Sequence, residues 1–402
     1  MAKRRGNGEG SIFKRKSDNL WVGRLQVGIK PDGSPKFQTF YGDTQKEVID
    51  KMDEAKGNIR NNTYAEPNKV TVEQLLDSWL NVTIKAAVKD TTWLLYESLI
   101  KKHIIPELGG IRIMNLQTIQ IQHFYNNKLE SGRADGKEGG LSPQTIRHIH
   151  KIIRGALQQA IRERLIGVNV SDAVRLPKMT RAEMQTLNIE DVHKFLEVAR
   201  SNRYYKRYYA AYLLELYTGL RRGELLGLRW KDVDMVNKQI KVVQQLVKVG
   251  NKHDIRELKT ESSQNRVIAV PDEVIQALKE HKRIKTEEYK ELGMDDLEIK
   301  RLTTEWLVFS NELGGIVQPC NFIRNFKGAL KKAGLKTSIR FHDMRHTFAE
   351  LSLQQGVDIK TLQSDLGHET SDTTLDRYGH VNEIMKKDAA NKRSGLLKSA
   401  IK

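Results

Sequence analysis

The chain has 402 residues, enough for two or three domains with separate cores, and its 68 Lys and Arg against 50 Asp and Glu give a formal charge of +18 and a pI near 9.7. Such a surface favours a polyanionic partner, with nucleic acid the first candidate. No stretch approaches the roughly 20 apolar residues of a spanning helix, MAKRRGNGEG lacks an apolar signal core, and the single cysteine, Cys320, can build neither an intramolecular disulfide nor a thiolate cluster, so a soluble, cytoplasmic protein is expected, with Cys320 packed inside it.

Residues 11–42 read as three short strands, SIFKRK, WVGRLQVG and KFQTFYG, with PDGSP as the turn between the second and third. DTQKEVIDKMDEAKGNIR follows as a helix opened by an Asp/Thr cap signal. Eight Lys or Arg against two acidic residues fall in the first 30 positions, with Phe13 and Trp21 interleaved. That pattern suits a sheet face laid on a phosphate backbone, with Lys14, Arg15, Lys16 and Arg24 as candidate DNA contacts; a solvated charged end is the alternative.

The segment 62–69 is polar, contains a proline and lacks periodicity, so it is read as a linker. From TVEQLLDSWL to IRERLIG apolar residues recur at helical spacing, as in Leu75, Trp79 and Val82, then Ile146, Ile149, Ile153 and Leu157. This predicts an all-helical domain with one irregular insert, ESGRADGKEGGLSP. A second linker, RLPKMTRAE at 175–183, combines proline with basic residues and is suited to lie against DNA. Beyond it, YYKRYYAAYLLELY is helical, TG breaks it and RRGELLGL resumes a short helix. KQIKVVQQLVKV and RVIAV alternate like strands around the polar turn KTESSQN, and helices are predicted around 272–290, 319–333, 342–355 and 358–366. The fold class is therefore multidomain, mainly α with small β elements: a three-stranded sheet plus helix, a helical domain, and a mixed α/β domain.

Four separated stretches carry chemistry: TGLRRGELLGLRW, LKTESSQNR, FHDMRHTFA and LGHETSDTTLDRYGH. His342 and His346 stand at i,i+4 as zinc-binding histidines do, but Asp343 is one methylene shorter than the glutamate base of a zincin, and Arg345 would set a fixed cation beside the metal. Metal-free attack on a phosphodiester fits better. Two planar guanidinium groups match the charge on the non-bridging oxygens, a phenol supplies an oxygen nucleophile that also leaves readily, and a lysine can protonate the departing 5′ oxygen. The stretches offer one candidate for each role: Arg221 and Arg345 for charge, Lys259 as acid, His342 and His368 as phosphate-side donors or proton carriers, and Tyr378 as nucleophile. No metal, ATP or other cofactor is required.

These boxes resemble the signatures of the tyrosine recombinases, the phage-integrase family, in the same order: arginine box, hairpin lysine, His-x-x-Arg, Leu-Gly-His, and a tyrosine ten residues later. The resemblance places Arg221, not its neighbour Arg222, at the family's first arginine, and gives Glu224 a structural role; Ser262 and Ser263 follow the lysine much as the family's serine does, and His380 is a supporting residue. It implies an arm-type DNA-binding domain at 1–66, a helical core-binding (SAM-like) domain at 69–176, a tyrosine recombinase catalytic domain at 183–396, and a tail at 381–402 exchanged between protomers through Ile384, Met385, Leu396, Leu397 and Ile401. It further implies site-specific recombination of double-stranded DNA at core and arm sites through a 3′-phosphotyrosyl link and a Holliday junction. The implied partners are three further copies in a homotetramer, an excisionase and a host DNA-bending protein, with no membrane. A type IB topoisomerase shares the chemistry, but the N-terminal module and Leu-Gly-His argue against it. A DNA-binding regulator would not need the full set of reactive residues.

Overall fold

The computed structural model describes residues 10–30, 32–61, 63–133, 136, 138–179, 185–250, 252–258 and 266–367. They divide into two compact units, Met1–Arg181 and Ala182–Lys402.

The first unit opens with the antiparallel sheet β1 (Ser11–Lys14), β2 (Trp21–Ile29) and β3 (Pro35–Gly42), in that spatial order. Helix α1 (Gln45–Arg60) starts where the Thr44 hydroxyl accepts from the Glu47 N–H. Alternation along the strands turns Ile12, Trp21, Leu25 and Phe40 toward Val48, Met52 and Ala55 of α1, giving this module its own small core. Trp21 therefore belongs to that core and not to the basic face where the sequence pattern puts it. The opposite face instead shows Phe13, Phe37 and Tyr41, each between 43% and 51% exposed, with the Arg24 guanidinium 4.4 Å above the Phe37 ring and that of Arg15 5.2 Å above Tyr41.

Residues 63–69 form a tethered strap. Lys36 pairs with Glu66 at 2.5 Å, the Glu66 N–H donates to the Arg164 carbonyl at 3.3 Å, and Asn68 donates to the Leu165 carbonyl at 2.8 Å. The helices that follow are α2 (Val72–Ser78), α3 (Asp90–Leu99), α4 (Ile105–Leu108), α5 (Thr118–Ser131) and α6 (Pro143–Arg162). On α6, Ile146, Ile149, Ile153 and Leu157 are buried with Leu75, Leu76 and Trp79. Val82 is not: α2 runs on into a π-helical turn at Trp79–Ile84, whose wider winding carries Val82 off the apolar face to 74% exposure.

The second unit begins with α7 (Ile189–Ser201), α8 (Arg203–Lys206), α9 (Tyr209–Thr218) and α10 (Arg222–Gly227). The helix read from YYKRYYAAYLLELY is thus broken between α8 and α9, where Arg207 pairs with Glu288 and Glu312 and Tyr208 leaves helical geometry. Among the described residues five strands follow: β4 (Val233–Asp234), β5 (Gln239–Val242), β6 (Gln244–Val249), β7 (Lys252–Glu257) and β8 (Arg266–Ala269). The segment read as one strand, 238–249, divides between two sheets: β5 lies between β4 and β8, whereas β6 forms a separate hairpin with β7. Then come α11 (Asp272–Glu291), α12 (Asp296–Thr304), α13 (Pro319–Lys332), α14 (Phe341–Gln354) and α15 (Ile359–Leu366).

An aromatic cluster holds this unit together. Phe195, Tyr208, Tyr212, Phe322, Phe326 and Phe341 sit within ring-contact distance, Phe322 and Phe341 edge to face at 4.8 Å. Tyr212 anchors its hydroxyl on Asn325 at 2.7 Å. Cys320 is exposed. It occupies the first turn of α13, two residues before Phe322, and so faces away from the stripe formed by Phe322, Phe326, Ala329 and Leu330.

Candidate active site

Two helices of the second unit start with the same local device, an N-cap arginine whose backbone N–H is satisfied by an acidic residue three positions on. At α10 the Glu224 carboxylate accepts from the Arg221 backbone at 2.9 Å and from its guanidinium at 2.8 Å. At α14 Asp343 accepts from the Arg340 backbone at 2.7 Å and from its guanidinium at 2.7 Å. Asp343 therefore anchors the first turn of the helix that carries His342 and Arg345. Burial pushes its carboxyl up, but the Arg340 bonds outweigh that and hold it below the ordinary aspartate value.

Arg345 is 2% exposed. Its guanidinium donates to the carbonyls of Gly219 and Leu366. Gly219 ends α9 at φ +58°, and a Cβ there would lie 2.5 Å from the Phe348 ring, so both the turn and the space require glycine. Arg221, on the other side, donates to the Gly367 carbonyl at 3.1 Å. The two arginines thus meet at consecutive carbonyls at the C-terminus of α15, whose dipole favours cations. Burial, then the neighbouring Arg221, draws Arg345 down to about 10, which leaves it protonated at neutral pH.

Behind them lies a third guanidinium with no counterpart in the sequence reading. Arg266, at the start of β8, is bonded to Glu224 at 2.6 Å and to the Asp365 carbonyl at 3.0 Å. Glu224 is 1% exposed, and although burial raises its pKa, the Arg266 bond and the charges of Arg266 and Arg221 bring it below the ordinary glutamate value. Gly367 takes φ +60°, and a Cβ there would sit 3.1 Å from the Arg266 guanidinium. The signal for Arg266 lies in RVIAV: alternation that buries Ile268 and exposes Val267 also turns Arg266 inward.

His342 is exposed, its ring 5.1 Å from that of His346 and edge-on to it. It borders a cleft of about 420 Å³ shared with Arg222, Lys327 and Arg340, so Arg222 points to this basic cleft while Arg221 joins the buried cluster. No group of three or more His, Cys, Asp or Glu placed to hold a metal occurs among the described residues. Lys259, His368 and Tyr378 lie outside the described residues, as do Ser262, Ser263, His380 and the tail 381–402. Gly367, whose carbonyl accepts from Arg221, directly precedes His368 in the chain, and β7 ends at Glu257, two residues before Lys259. In the first unit Arg24 and Arg15 flank the exposed aromatics. Lys14 lies opposite Trp21 in the sheet register, at the exposed edge of the side covered by α1, and Lys16 is exposed just beyond β1.

A cluster of three arginines beside a basic cleft, on a helical unit with a short β insertion, has the charge and the fork geometry suited to a phosphate. The sequence profile of the Phage integrase family matches residues 185–384, and that of the phage integrase N-terminal SAM-like domain matches 71–129. A XerC-like tyrosine recombinase of Caldanaerobacter subterraneus is 29% identical over 393 residues, covering 93% of this chain and 96% of that protein; the ICEBs1 integrase of Bacillus subtilis is 29% identical over 278 residues, covering 69% and 72%. The Tn1549 transposon integrase in complex with a circular intermediate DNA superposes with a TM-score of 0.63 at 25% identity, over 79% of this chain and 99% of that one. The lambda integrase tetramer bound to a Holliday junction shares the fold, with a TM-score of 0.55 at 20% identity over 92% and 97%. The chain belongs to the phage integrase family, the tyrosine recombinases. Its activity is the cleavage and rejoining of DNA in site-specific recombination.

Proposed function

We propose that the chain integrates and excises a mobile element by transient 3′-phosphotyrosyl linkage, with Tyr378 as nucleophile and Arg221 and Arg345 as the phosphate clamp. The phenolic oxygen attacks phosphorus and the bond from phosphorus to the 5′ oxygen breaks. The phenol's proton passes to a histidine, His342 or His368, while Lys259 gives a proton to the departing 5′ oxygen. The linkage keeps the bond energy, and a 5′ hydroxyl from a second duplex reverses the step to complete strand exchange. No ATP or metal enters this balance.

The observation that carries the reading is the convergence of Arg221 and Arg345 on the Leu366 and Gly367 carbonyls, one residue before His368 and within a short segment of Tyr378. An incoming phosphate can take over these donors, since its charged oxygens compete well with neutral carbonyls. The aromatic and basic outer face of β1–β3 would engage arm DNA through Arg24 and Arg15, with Lys14 and Lys16 at its edge, and residues 69–176 would grip the core site. Four copies, joined through their tails at 381–402, would act on paired duplexes through a Holliday junction, with an excisionase and a host DNA-bending protein setting direction. A cytoplasmic location at the nucleoid follows from this role.

The test is a nicked duplex carrying the attachment sequence of the element, incubated in EDTA and resolved under denaturing conditions. A DNA-shifted protein band should form and should vanish in Tyr378→Phe. Persistence of the band in that variant would remove Tyr378 as nucleophile, and its loss on chelation in the parent chain would point to a metal-dependent reaction.

A further inference from the structure

Glu215 lies on α9 in the apolar run AAYLLELY, is 1% exposed, and neither of its carboxylate oxygens has a hydrogen-bond partner. It is the acidic group that the proposed chemistry leaves without a task. An ionised carboxylate buried without partners is far more costly than a neutral one. The groups facing it come from three elements: Arg345 on α14, Glu224 on α10 and Arg266 on β8. On α11, which also packs on α9, His281 bonds the Val308 carbonyl and Lys285 bonds Glu288, so neither serves Glu215. Arg345 donates to the Gly219 and Leu366 carbonyls, and the Gly219 N–H in turn donates to the Glu215 backbone carbonyl at 2.8 Å. Glu215 thus sits directly behind the turn that seats Arg345.

We propose that Glu215 is a positioning residue whose carboxyl is held neutral, so that the cluster of Arg221, Arg266 and Arg345 meets the scissile phosphate with only Glu224 subtracted from its charge. This rests on reading Arg221 and Arg345 as the phosphate clamp. Burial drives the Glu215 pKa well above the ordinary glutamate value, with Glu224 adding to that and Arg345 and Arg266 opposing it. When pH rises far enough to ionise Glu215, the cluster loses one net positive charge and its hold on phosphate weakens. A bound phosphate reverses the effect by pushing the carboxyl back toward its neutral form.

The sign for stability is fixed by the same burial. The folded chain binds a proton here that the unfolded chain gives up above the ordinary glutamate value, so Glu215 costs stability increasingly as pH rises. Glu215→Gln is close in shape and always neutral. In the DNA-free full-length chain it should raise Tm by about 2–4 °C at pH 8, with the gain fading toward pH 5. On the nicked duplex, adduct formation by the parent should fall more steeply from pH 7 to pH 9 than in the variant, and Glu215→Leu should behave like Glu215→Gln. A Glu215→Gln chain that melts lower than the parent, or by the same margin at every pH, overturns the neutral carboxyl. A pH-dependent gain in Tm with identical cleavage profiles overturns its coupling to phosphate. Failure of both chains to form any adduct, with the melts as expected, overturns the clamp reading and the coupling with it while the neutral carboxyl stands.

Discussion

Replacing Glu224 with glutamine removes a buried anion that Arg221 and Arg266 share. Glu224 accepts from the Arg221 backbone and guanidinium at 2.9 and 2.8 Å and from the Arg266 guanidinium at 2.6 and 3.3 Å. A glutamine can accept on only one of its two positions, and its NH2 group then faces a guanidinium. Because the side chains of Arg266 and Glu224 are 5% and 1% exposed, the Arg266 charge that loses this carboxylate cannot relax into solvent. Removing one partner of such a pair costs about 3–5 kcal/mol, which corresponds to a Tm lower by about 6–20 °C for a unit of this size. The Glu224 carboxyl lies below its ordinary value in the fold, so its contribution is present above the unfolded glutamate pKa and is lost as pH falls through the folded value. The gap between parent and variant, followed by circular dichroism melts of the full chain, should therefore narrow in acid. A Glu224→Gln chain melting within about 2 °C of the parent at pH 7 would refute the reasoning, because the Glu224 carboxylate would then not be what stabilises Arg266.

His281 is buried and held neutral, its pKa drawn down to about 4 by burial, so stability present above the ordinary value of 6.5 should be lost as pH falls toward 4. The loss is about 3 kcal/mol, and in urea titrations His281→Gln should flatten it. Arg221→Lys should bind DNA nearly as the parent does yet form adduct about 100- to 1,000-fold more slowly, because a point charge cannot reproduce the fork geometry; equal rates would transfer the role to Arg222. Gly219→Ala forces a Cβ to within 2.5 Å of the Phe348 ring at φ +58°, so it should lower both Tm and adduct rate, and a rate loss without a Tm loss would deny the packing conflict.

The main helices of both units were legible because their apolar residues recur on one face, and the turn at TG was legible because glycine ends α9 in a left-handed conformation. Strand β7, KHDIRE, was not. Among the described residues it pairs only with β6, and it is mostly exposed, so it carries no apolar alternation to read. Helix α12 buries little beyond Ile299 and Leu302 and escapes periodicity for the same reason. Arg221, Arg345 and His342 are named by local motifs, and their geometry follows from helix starts written into Arg-x-x-Glu and Arg-x-x-Asp. Arg266 and Glu215 were harder to find, since each is a charged residue on an otherwise apolar face whose partners arrive from distant segments. The orientation of Trp21 was missed because a basic stretch with aromatics gives no hint of which face α1 will cover.

The measurement that bears most directly on the central claim is mass spectrometry of the peptide left attached to a cleaved nicked duplex formed in EDTA. The account requires a single adduct on Tyr378, linked to the 3′-phosphoryl end of the cut strand, with a free 5′ hydroxyl on the other side. A link to another side chain, or to a 5′-phosphoryl end, would contradict it.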